Sequence, residues 1–202
     1  MTVDEVMREL RMDRIFYTES SGGVTFSGGE PLMQADFLLE LLKDCKTNSI
    51  HTTLDTSGFG DSKKLKKLLP YTDLFLYDLK LMDDKAHIRF AGVSNRIILE
   101  NLVFLVSEEK QVIIRIPIIP GITDTSQNIM EMKEFLTILA KGSKQKVPFQ
   151  INLLPYHSIA KNKYLRLSID NKTADLKDIA KETLMPLKNE FESEGFFVKI
   201  GG

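Results

Sequence analysis

The chain has 202 residues, a length that favours one domain with a substantial buried core. Its 27 basic and 28 acidic residues give a net charge of -1, which argues against nucleic acid or another polyanion as a partner. Since no signal-peptide core and no run of about 18 apolar residues occurs, we predict a soluble, cytoplasmic protein that does not bind membranes.

Short apolar runs alternate with longer helical patterns along the whole chain. The first helix is predicted to begin at Thr2-Val3-Asp4-Glu5, which is a capping box followed by apolar residues at helical spacing. Strands are predicted at residues 24–27, 51–56, 74–79, 112–117, 149–154 and 197–200, and the remaining five helices at 35–46, 62–69, 96–107, 128–139 and 174–192. This alternation predicts an α/β fold with six strands in a mainly parallel sheet.

Polar residues follow five successive predicted strands at the point where each strand ends. They are Ser27-Gly28-Gly29-Glu30, Asp55-Thr56-Ser57-Gly58, Asp78-Leu79-Lys80, Arg115-Ile116-Pro117 and Tyr156-His157. In α/β folds, ligands bind beyond the carboxyl ends of the parallel strands. Glycines, carboxylates, cations and an imidazole at one edge therefore predict a site for a small zwitterionic ligand.

Each of these groups also has an ordinary structural interpretation. Gly28-Gly29 alone is typical of a tight turn, Asp55 of a helix cap and His157 of a loop. Asp78 and Lys80 share strand parity, so a simple ion pair explains them equally well. Arg115 is harder to explain in this way, because a guanidinium on a central strand needs a partner or a solvated cavity.

Residues 22 to 31 read Gly-Gly-Val-Thr-Phe-Ser-Gly-Gly-Glu-Pro. This decapeptide resembles the GGE signature of radical S-adenosylmethionine (SAM) enzymes, in the form typical of the glycyl-radical-enzyme activating enzymes, which include the pyruvate formate-lyase activating enzyme. The resemblance continues through Leu54-Asp55-Thr56-Ser57-Gly58, Tyr77-Asp78-Leu79-Lys80, Gly92-Val93-Ser94-Asn95, the run from Ile114 to Asp124, and Leu153-Leu154-Pro155-Tyr156-His157. Ordered motifs therefore cover nearly the whole chain.

The resemblance implies a partial, open (β/α) barrel and a SAM site at its rim. By this resemblance, the backbone of Gly28, Gly29 and Glu30 binds the SAM amino group with help from Asp55. Lys80 meets the carboxylate, His157 the ribose, and Arg115 lines the site near the nucleoside. A monovalent cation held by Asp55, Thr56 and Asp78 is a further expectation. No catalytic residue and no protein metal ligand is assigned within the chain.

The family also implies a 4Fe-4S cluster held by a CxxxCxxC loop, and here the sequence departs from the pattern. The only cysteine is Cys45, which follows the GGE motif and lies among apolar residues, so we expect a buried thiol and no cluster. We interpret residues 1–202 as one radical SAM core domain, the carboxyl-terminal portion of a larger activating enzyme without its first strand and cluster loop. Residues 24–27 should then form a sheet edge, protected by the first helix, a neighbouring chain or disorder.

In the family, reductive cleavage of SAM gives a 5′-deoxyadenosyl radical that abstracts hydrogen from a glycine of a partner enzyme. The resemblance therefore implies a glycyl radical enzyme such as pyruvate formate-lyase as partner, and flavodoxin or ferredoxin as electron donor. The isolated chain should be inactive. One alternative is a degenerate module that binds SAM or a partner without radical chemistry. Another is an unrelated barrel lyase or hydrolase using Asp55 and His157 as acid and base, although no recognisable motif pairs a nucleophile with a base.

Overall fold

The fold is built on one six-stranded sheet. The computed structural model describes residues 1–143, 149–157, 176 and 178–201. The strands are β1 (Gly23–Phe26), β2 (His51–Thr56), β3 (Leu74–Asp78), β4 (Gln111–Ile118), β5 (Gln150–Pro155) and β6 (Phe197–Ile200). They lie in sequence order, and every neighbouring pair is parallel. The predicted α/β fold with an open parallel sheet of barrel type is confirmed.

Eight α-helices lie in the described part of the chain. They are α1 (Val3–Met12), α2 (Arg14–Ser20), α3 (Ala35–Thr47), α4 (Ser62–Leu68), α5 (Asp84–Ala91), α6 (Arg96–Ser107), α7 (Ser126–Gly142) and α8 (Met185–Ser193). The predicted number of six was wrong, because α2 and α5 are too short to show a clear apolar period. A continuous helix over 174–192 was also wrong, since residues 178–180 are not helical and a 3-10 turn, Lys181–Leu184, precedes α8; the predicted start at residue 174 lies outside the described residues. Pro186 lies in the first turn of α8, where proline favours the start of a helix.

The first helix begins with the predicted capping box. The Thr2 N–H donates to Glu5 Oε2 at 2.7 Å, and the Glu5 N–H donates to Thr2 Oγ1 at 3.2 Å. Met7 of α1 packs with Cys45 of α3 in a small apolar cluster that also contacts Val24 of β1. The predicted edge strand, β1, pairs only with β2 among the described residues, and this cluster covers one of its faces.

The main core lies between the sheet and the helices. Strand residues of one parity are fully buried there, as Tyr77 and Ile114 illustrate, and they pack against helical residues such as Leu102. In β3 and β4, residues of the other parity, including Asp78 and Arg115, lie on the opposite face and are mostly only partly buried. The helical layer thus supports one face of the sheet, and the polar residues at the strand ends belong to the other face.

None of the described helices is by itself long and apolar enough to cross a lipid bilayer. Helices α5 and α6 pass the length and composition criteria only as a pair, and they are bent by 108° relative to each other.

Candidate functional site

Three neighbouring strands bring charged side chains together near the carboxyl ends of β2 and β3, beside the middle of β4. Asp55 is on β2, Asp78 ends β3, and Arg115 lies directly beside Asp78 in the register of β3 and β4. Lys80 follows β3 by two residues. We call Asp55, Asp78, Lys80 and Arg115 the rim cluster.

The guanidinium of Arg115 lies between two carboxylates. Its Nε donates to Asp78 Oδ1 at 2.9 Å, and its Nη1 donates to Asp55 Oδ2 at 3.1 Å. Its Nη2 pairs with both carboxylates, 2.8 Å from Asp78 Oδ1. Ser27 Oγ donates to Asp55 Oδ2 at 3.1 Å, and Lys80 Nζ lies 3.2 Å from Asp78 Oδ2. Arg115 thus has the partners that a cation on a central strand requires.

Burial and charge act against each other at Arg115. Burial lowers the pKa of the guanidinium, but the carboxylates of Asp78 and Asp55 outweigh this effect, so the pKa is raised. The side chains of Arg115, Asp55 and Asp78 are 18 to 20% exposed, whereas that of Lys80 is 34% exposed. Two carboxylates and two cations make the cluster neutral, and its most accessible charge is the Lys80 ammonium.

The side chain of Glu30 bridges the first two strand ends. Its Oε1 accepts from Thr56 Oγ1 at 2.5 Å and from the Leu32 N–H at 3.2 Å. Its Oε2 accepts from the N–H and the hydroxyl of Ser57, at 2.9 and 2.6 Å. Four hydrogen bonds use the acceptor capacity of the carboxylate, so Glu30 fixes the loop after β1 to the loop after β2.

The glycine loop before this bridge leaves its backbone open. Gly28 has φ 138°, which residues with a side chain rarely adopt, and a Cβ placed on Gly28 or Gly29 meets no atom within 4 Å. A ligand can therefore approach the main chain here. A cavity of about 220 Å³ adjoins it, lined by Glu30, Ser57, Phe59, Asp78, Lys80, His87, Ala91, Val93 and Ile98.

The loop after β2 is packed tightly against the core. Gly58 has φ 75°, and a Cβ on it lies 1.6 Å from Tyr77 Oη. Tyr77 Oη donates to the Ile98 carbonyl at 2.6 Å, and burial, with a contribution from Glu30, raises the pKa of this phenol. The buried Asn101 donates from Nδ2 to the carbonyls of Gly58 and Gly60, at 2.8 and 2.9 Å. This loop is thus held in one conformation.

A larger cavity of about 620 Å³ lies elsewhere, lined by residues of β4, α7 and α8. None of its lining residues belongs to the rim cluster, and its walls are mostly apolar. The volume of a cavity therefore does not identify the candidate site. The convergence of charged side chains in the rim cluster does.

The structure does not bring all of the predicted site residues together. The structure brings together Glu30 with Thr56 and, separately, the four members of the rim cluster. His157 follows β5, is exposed, and has its Nδ1 3.7 Å from Asp178 Oδ2, outside that cluster. The side-chain role of Glu30 and that of Asn101 were not predicted, because each residue bonds a loop that lies 27 or 43 residues away along the chain.

Metal ligands are not gathered anywhere in the described residues, which contain no group of three or more His, Cys, Asp or Glu side chains able to hold an ion. Cys45 is buried beside Met7, with Sγ 4.0 Å from Sδ, as expected of an apolar side chain. Burial raises the pKa of its thiol to about 11. It is therefore neither exposed nor ionised at neutral pH.

Comparison with known proteins places this geometry in context. The sequence profile of the Radical SAM superfamily matches residues 1–136. The chain is 39% identical over its whole length to the trans-4-hydroxy-L-proline dehydratase activating enzyme of Clostridioides difficile, of which it covers 65%. It is 36% identical, over 96% of its length, to the pyruvate formate-lyase 1-activating enzyme of Escherichia coli K12, of which it covers 78%.

A solved structure has the same fold. The domain of a pyruvate-formate lyase-activating enzyme from Bacteroides vulgatus ATCC 8482 superposes with a TM-score of 0.72 at 31% identity, over 90% of this chain and 99% of that one. The chain spans 65% of the length of the first relative and 55% and 53% of two further activating enzymes. The similarity therefore covers nearly all of this chain and only part of these relatives.

Proposed function

Because the chain belongs to the radical SAM superfamily and, within it, to the glycyl-radical-enzyme activating enzymes, we propose that it is the SAM-binding part of such an enzyme. One observation carries the proposal: four charged groups converge at the rim beside a glycine loop whose backbone is open. A neutral cluster with an accessible ammonium suits the methionine part of SAM, which carries an amino and a carboxylate group.

Each polar group of SAM has a candidate partner. Lys80 binds the carboxylate, since it is the most exposed charge of the rim cluster and lysine acts as a compact point charge. The backbone of Gly28 and Gly29 meets the amino group, and Asp55 contributes a remaining lone pair. Arg115 lines the site near the nucleoside, and its hydrogen bonds also hold the carboxylate of Asp55 in place. His157 reaches the ribose from the end of β5.

The proposal includes a monovalent cation near the SAM carboxylate, held by Asp55, Thr56 and Asp78. Its support is that Asp55 and Asp78 already converge on one cationic group, the Arg115 guanidinium. Two carboxylates in one partly buried place attract a further cation once a ligand carboxylate adds its charge.

The 4Fe-4S cluster that the family uses does not fit the residues of this chain. Such a cluster needs three cysteine thiolates, and these 202 residues contain only Cys45, which is buried and protonated at neutral pH. Bound together with such a cluster, SAM would supply the radical chemistry by which activating enzymes remove a hydrogen from glycine. The 202-residue chain by itself should therefore bind SAM weakly and should not cleave it.

The partners are proposed from the relatives. Those relatives are named for activating a dehydratase, a lyase or a decarboxylase, so a glycyl radical enzyme such as pyruvate formate-lyase is the partner we propose. Flavodoxin or ferredoxin is the proposed electron donor. Asp55 and His157 do not form an acid and base pair, because Arg115 engages Asp55 and Asp178 lies beside His157, so a second catalytic function has no support here.

Calorimetric titration of the 202-residue chain with SAM tests the proposal. Lys80→Ala and Asp55→Ala should each weaken binding about tenfold, because each leaves one charged group of the ligand unpaired. Lys66→Ala removes an equal charge from the far end of α4 and should leave binding unchanged. If both rim variants bind SAM as the wild type does, Lys80 and Asp55 do not belong to the site.

A further inference from the structure

The turn that carries Lys80 is unusually well anchored. The neighbours of Lys80 in sequence, Leu79 and Leu81, are both buried, and the Leu79 N–H donates to the Arg115 carbonyl at 2.9 Å. The Lys80 ammonium emerges between these anchors and pairs with Asp78. The backbone of the turn continues through Met82 and no longer pairs with β4, so its polar groups need other partners.

Two buried asparagines supply those partners. Asn95, which is 3% exposed, donates from Nδ2 to the Leu81 carbonyl at 3.0 Å and to the Met82 carbonyl at 2.7 Å. Asn128, which is 5% exposed, donates from Nδ2 to the Lys80 carbonyl at 3.0 Å and accepts from the Met82 N–H at Oδ1, at 2.8 Å. Four backbone groups of three successive residues are thus bonded to two side chains.

The asparagines are themselves fixed from separate elements. Asn95 is the N-cap of α6, and its N–H donates to Asp84 Oδ1 at 3.0 Å. Asn128 lies in the first turn of α7, and its second amide hydrogen bonds the buried Thr123 carbonyl at 2.8 Å. The turn after β3 is therefore tied to the outer helical layer at two buried points.

We propose that Asn95 and Asn128 are positioning residues for Lys80. They hold its backbone so that the ammonium is presented to the carboxylate of SAM at one place, which rests on the function proposed above. Lysine has a long side chain whose rotamer freedom is costly to restrict, so a fixed Cα is the means by which the protein limits where its charge can go. The effect of the asparagines should accordingly appear in the recognition of the carboxylate and not of the rest of the ligand.

Equilibrium dialysis with radiolabelled SAM and decarboxylated SAM separates these contributions. The wild-type chain should prefer SAM, and Lys80→Ala should abolish the preference. Asn128→Asp keeps the acceptor for Met82 and adds a charge that the first turn of a helix favours, but it removes the donors to Lys80 and Thr123. It should lower the preference for SAM about three- to tenfold and leave the affinity for decarboxylated SAM nearly unchanged. Asn95→Ala should also lower the preference for SAM over decarboxylated SAM. If Asn128→Asp does not fold, the result for Asn95→Ala tests the positioning role.

The matched control is Asn101→Ala, which removes the same kind of amide clamp from the turn containing Gly58 and Gly60. It should lower the affinities for SAM and for decarboxylated SAM by the same factor and leave the ratio of the two affinities unchanged. If Lys80→Ala abolishes the preference but folded Asn128→Asp and Asn95→Ala keep it, the positioning role is wrong. If Lys80→Ala itself has no effect on the ratio, the SAM-carboxylate assignment of the proposed function fails, and the positioning role fails with it.

Discussion

The two ends of the sheet use aspartate in different ways. At the amino end, Asp73 precedes β3, and its Oδ2 accepts from the N–H and the hydroxyl of Thr52, at 2.8 and 3.1 Å. At the carboxyl end, Asp55 and Asp78 are held mainly by the guanidinium of Arg115. Asp73 accepts mainly from neutral groups of its own fold, with Lys46 Nζ 3.4 Å from its other oxygen, and so holds the start of β3 against the start of β2. Carboxylates paired with charged side chains can exchange such a partner for a charged group of a ligand, so the rim is the end suited to binding.

The pKa of Asp73 is consistent with a structural role for its carboxylate. Burial raises the pKa of its carboxyl group. The hydrogen bonds from the N–H and hydroxyl of Thr52, together with the charge of Lys46, lower this pKa by a larger amount, so the net shift is downward. The single hydrogen of the Thr52 hydroxyl is shared between Asp73 Oδ2 and the Tyr71 carbonyl, which lies 2.8 Å from Oγ1, and this ties the start of β3 to the start of β2.

Among the variants considered at the two ends of the sheet, removal of the Arg115 side chain should cause the largest loss of stability. Arg115→Ala leaves Asp55 and Asp78 facing each other in a partly buried place, and we expect it to lower the free energy of unfolding by about 3 kcal/mol. Urea denaturation followed by circular dichroism measures this. Arg115→Lys keeps the charge but not the planar fork and should recover part of the loss. An Arg115→Ala chain as stable as the wild type would mean that the cluster is solvated and contributes little.

The tightly packed loop beside the rim gives the next largest effect. Gly58→Ala forces a Cβ onto Tyr77 Oη at a positive φ, and we expect a loss of about 2 kcal/mol. In a Tyr77→Leu background, the hydroxyl and the ring carbons Cζ and Cε2 that clash are gone, so the same substitution should cost less. Thermal denaturation of the four chains gives the coupling energy. Equal costs in both backgrounds would show that backbone strain, and not the Tyr77 contact, requires the glycine.

The amino end should give the smallest effect and a defined pH dependence. Asp73→Ala should lower stability by about 1 kcal/mol at pH 7, since it removes the acceptor of two hydrogen bonds. Because the folded pKa of Asp73 is depressed below its ordinary value of 3.8, this contribution is present above that pH and is lost as the pH falls through the folded pKa.

Urea denaturation of wild type and variant at several pH values from 7 to about 2 checks the sign of this dependence. The difference between the two chains should be constant near neutrality and shrink in acid. Asp73→Asn keeps one acceptor oxygen and should lie between them at pH 7. A difference that grows as the pH falls would contradict the hydrogen-bonding account of the shift.

The sheet was predictable because its pattern is local. Residues 112 to 118 alternate between the buried face and the partly buried face, so β4 and the unusual position of Arg115 follow from the sequence. The ends of the strands then place Asp55 and Asp78 beside it. The partners of Arg115 were not predictable in detail, because the distance that separates Asp55 from Arg115 depends on the register of three strands.

The supporting contacts were less accessible to sequence reasoning. Asn95 and Asn128 lie 14 and 46 residues from the backbone atoms of Leu81 and Met82 that they bond, and such a separation has no local signature. Helix α5 was missed since its eight residues bury only His87, a residue not expected on an apolar face. The residues proposed to contact the ligand are therefore visible in the sequence, whereas those that hold them in place require the fold.

The open sheet has a consequence for the width of the site. In a closed barrel, the number of strands and their stagger fix the radius. Here, β1 and β6 each pair with one strand among the described residues, so no such closure condition applies to the arc between them. Its curvature is instead set by the volumes of the side chains wedged between strands and helices, such as Ile114 and Leu102. Residues that never touch a ligand thereby act as the spacers that determine how far apart the strand ends stand.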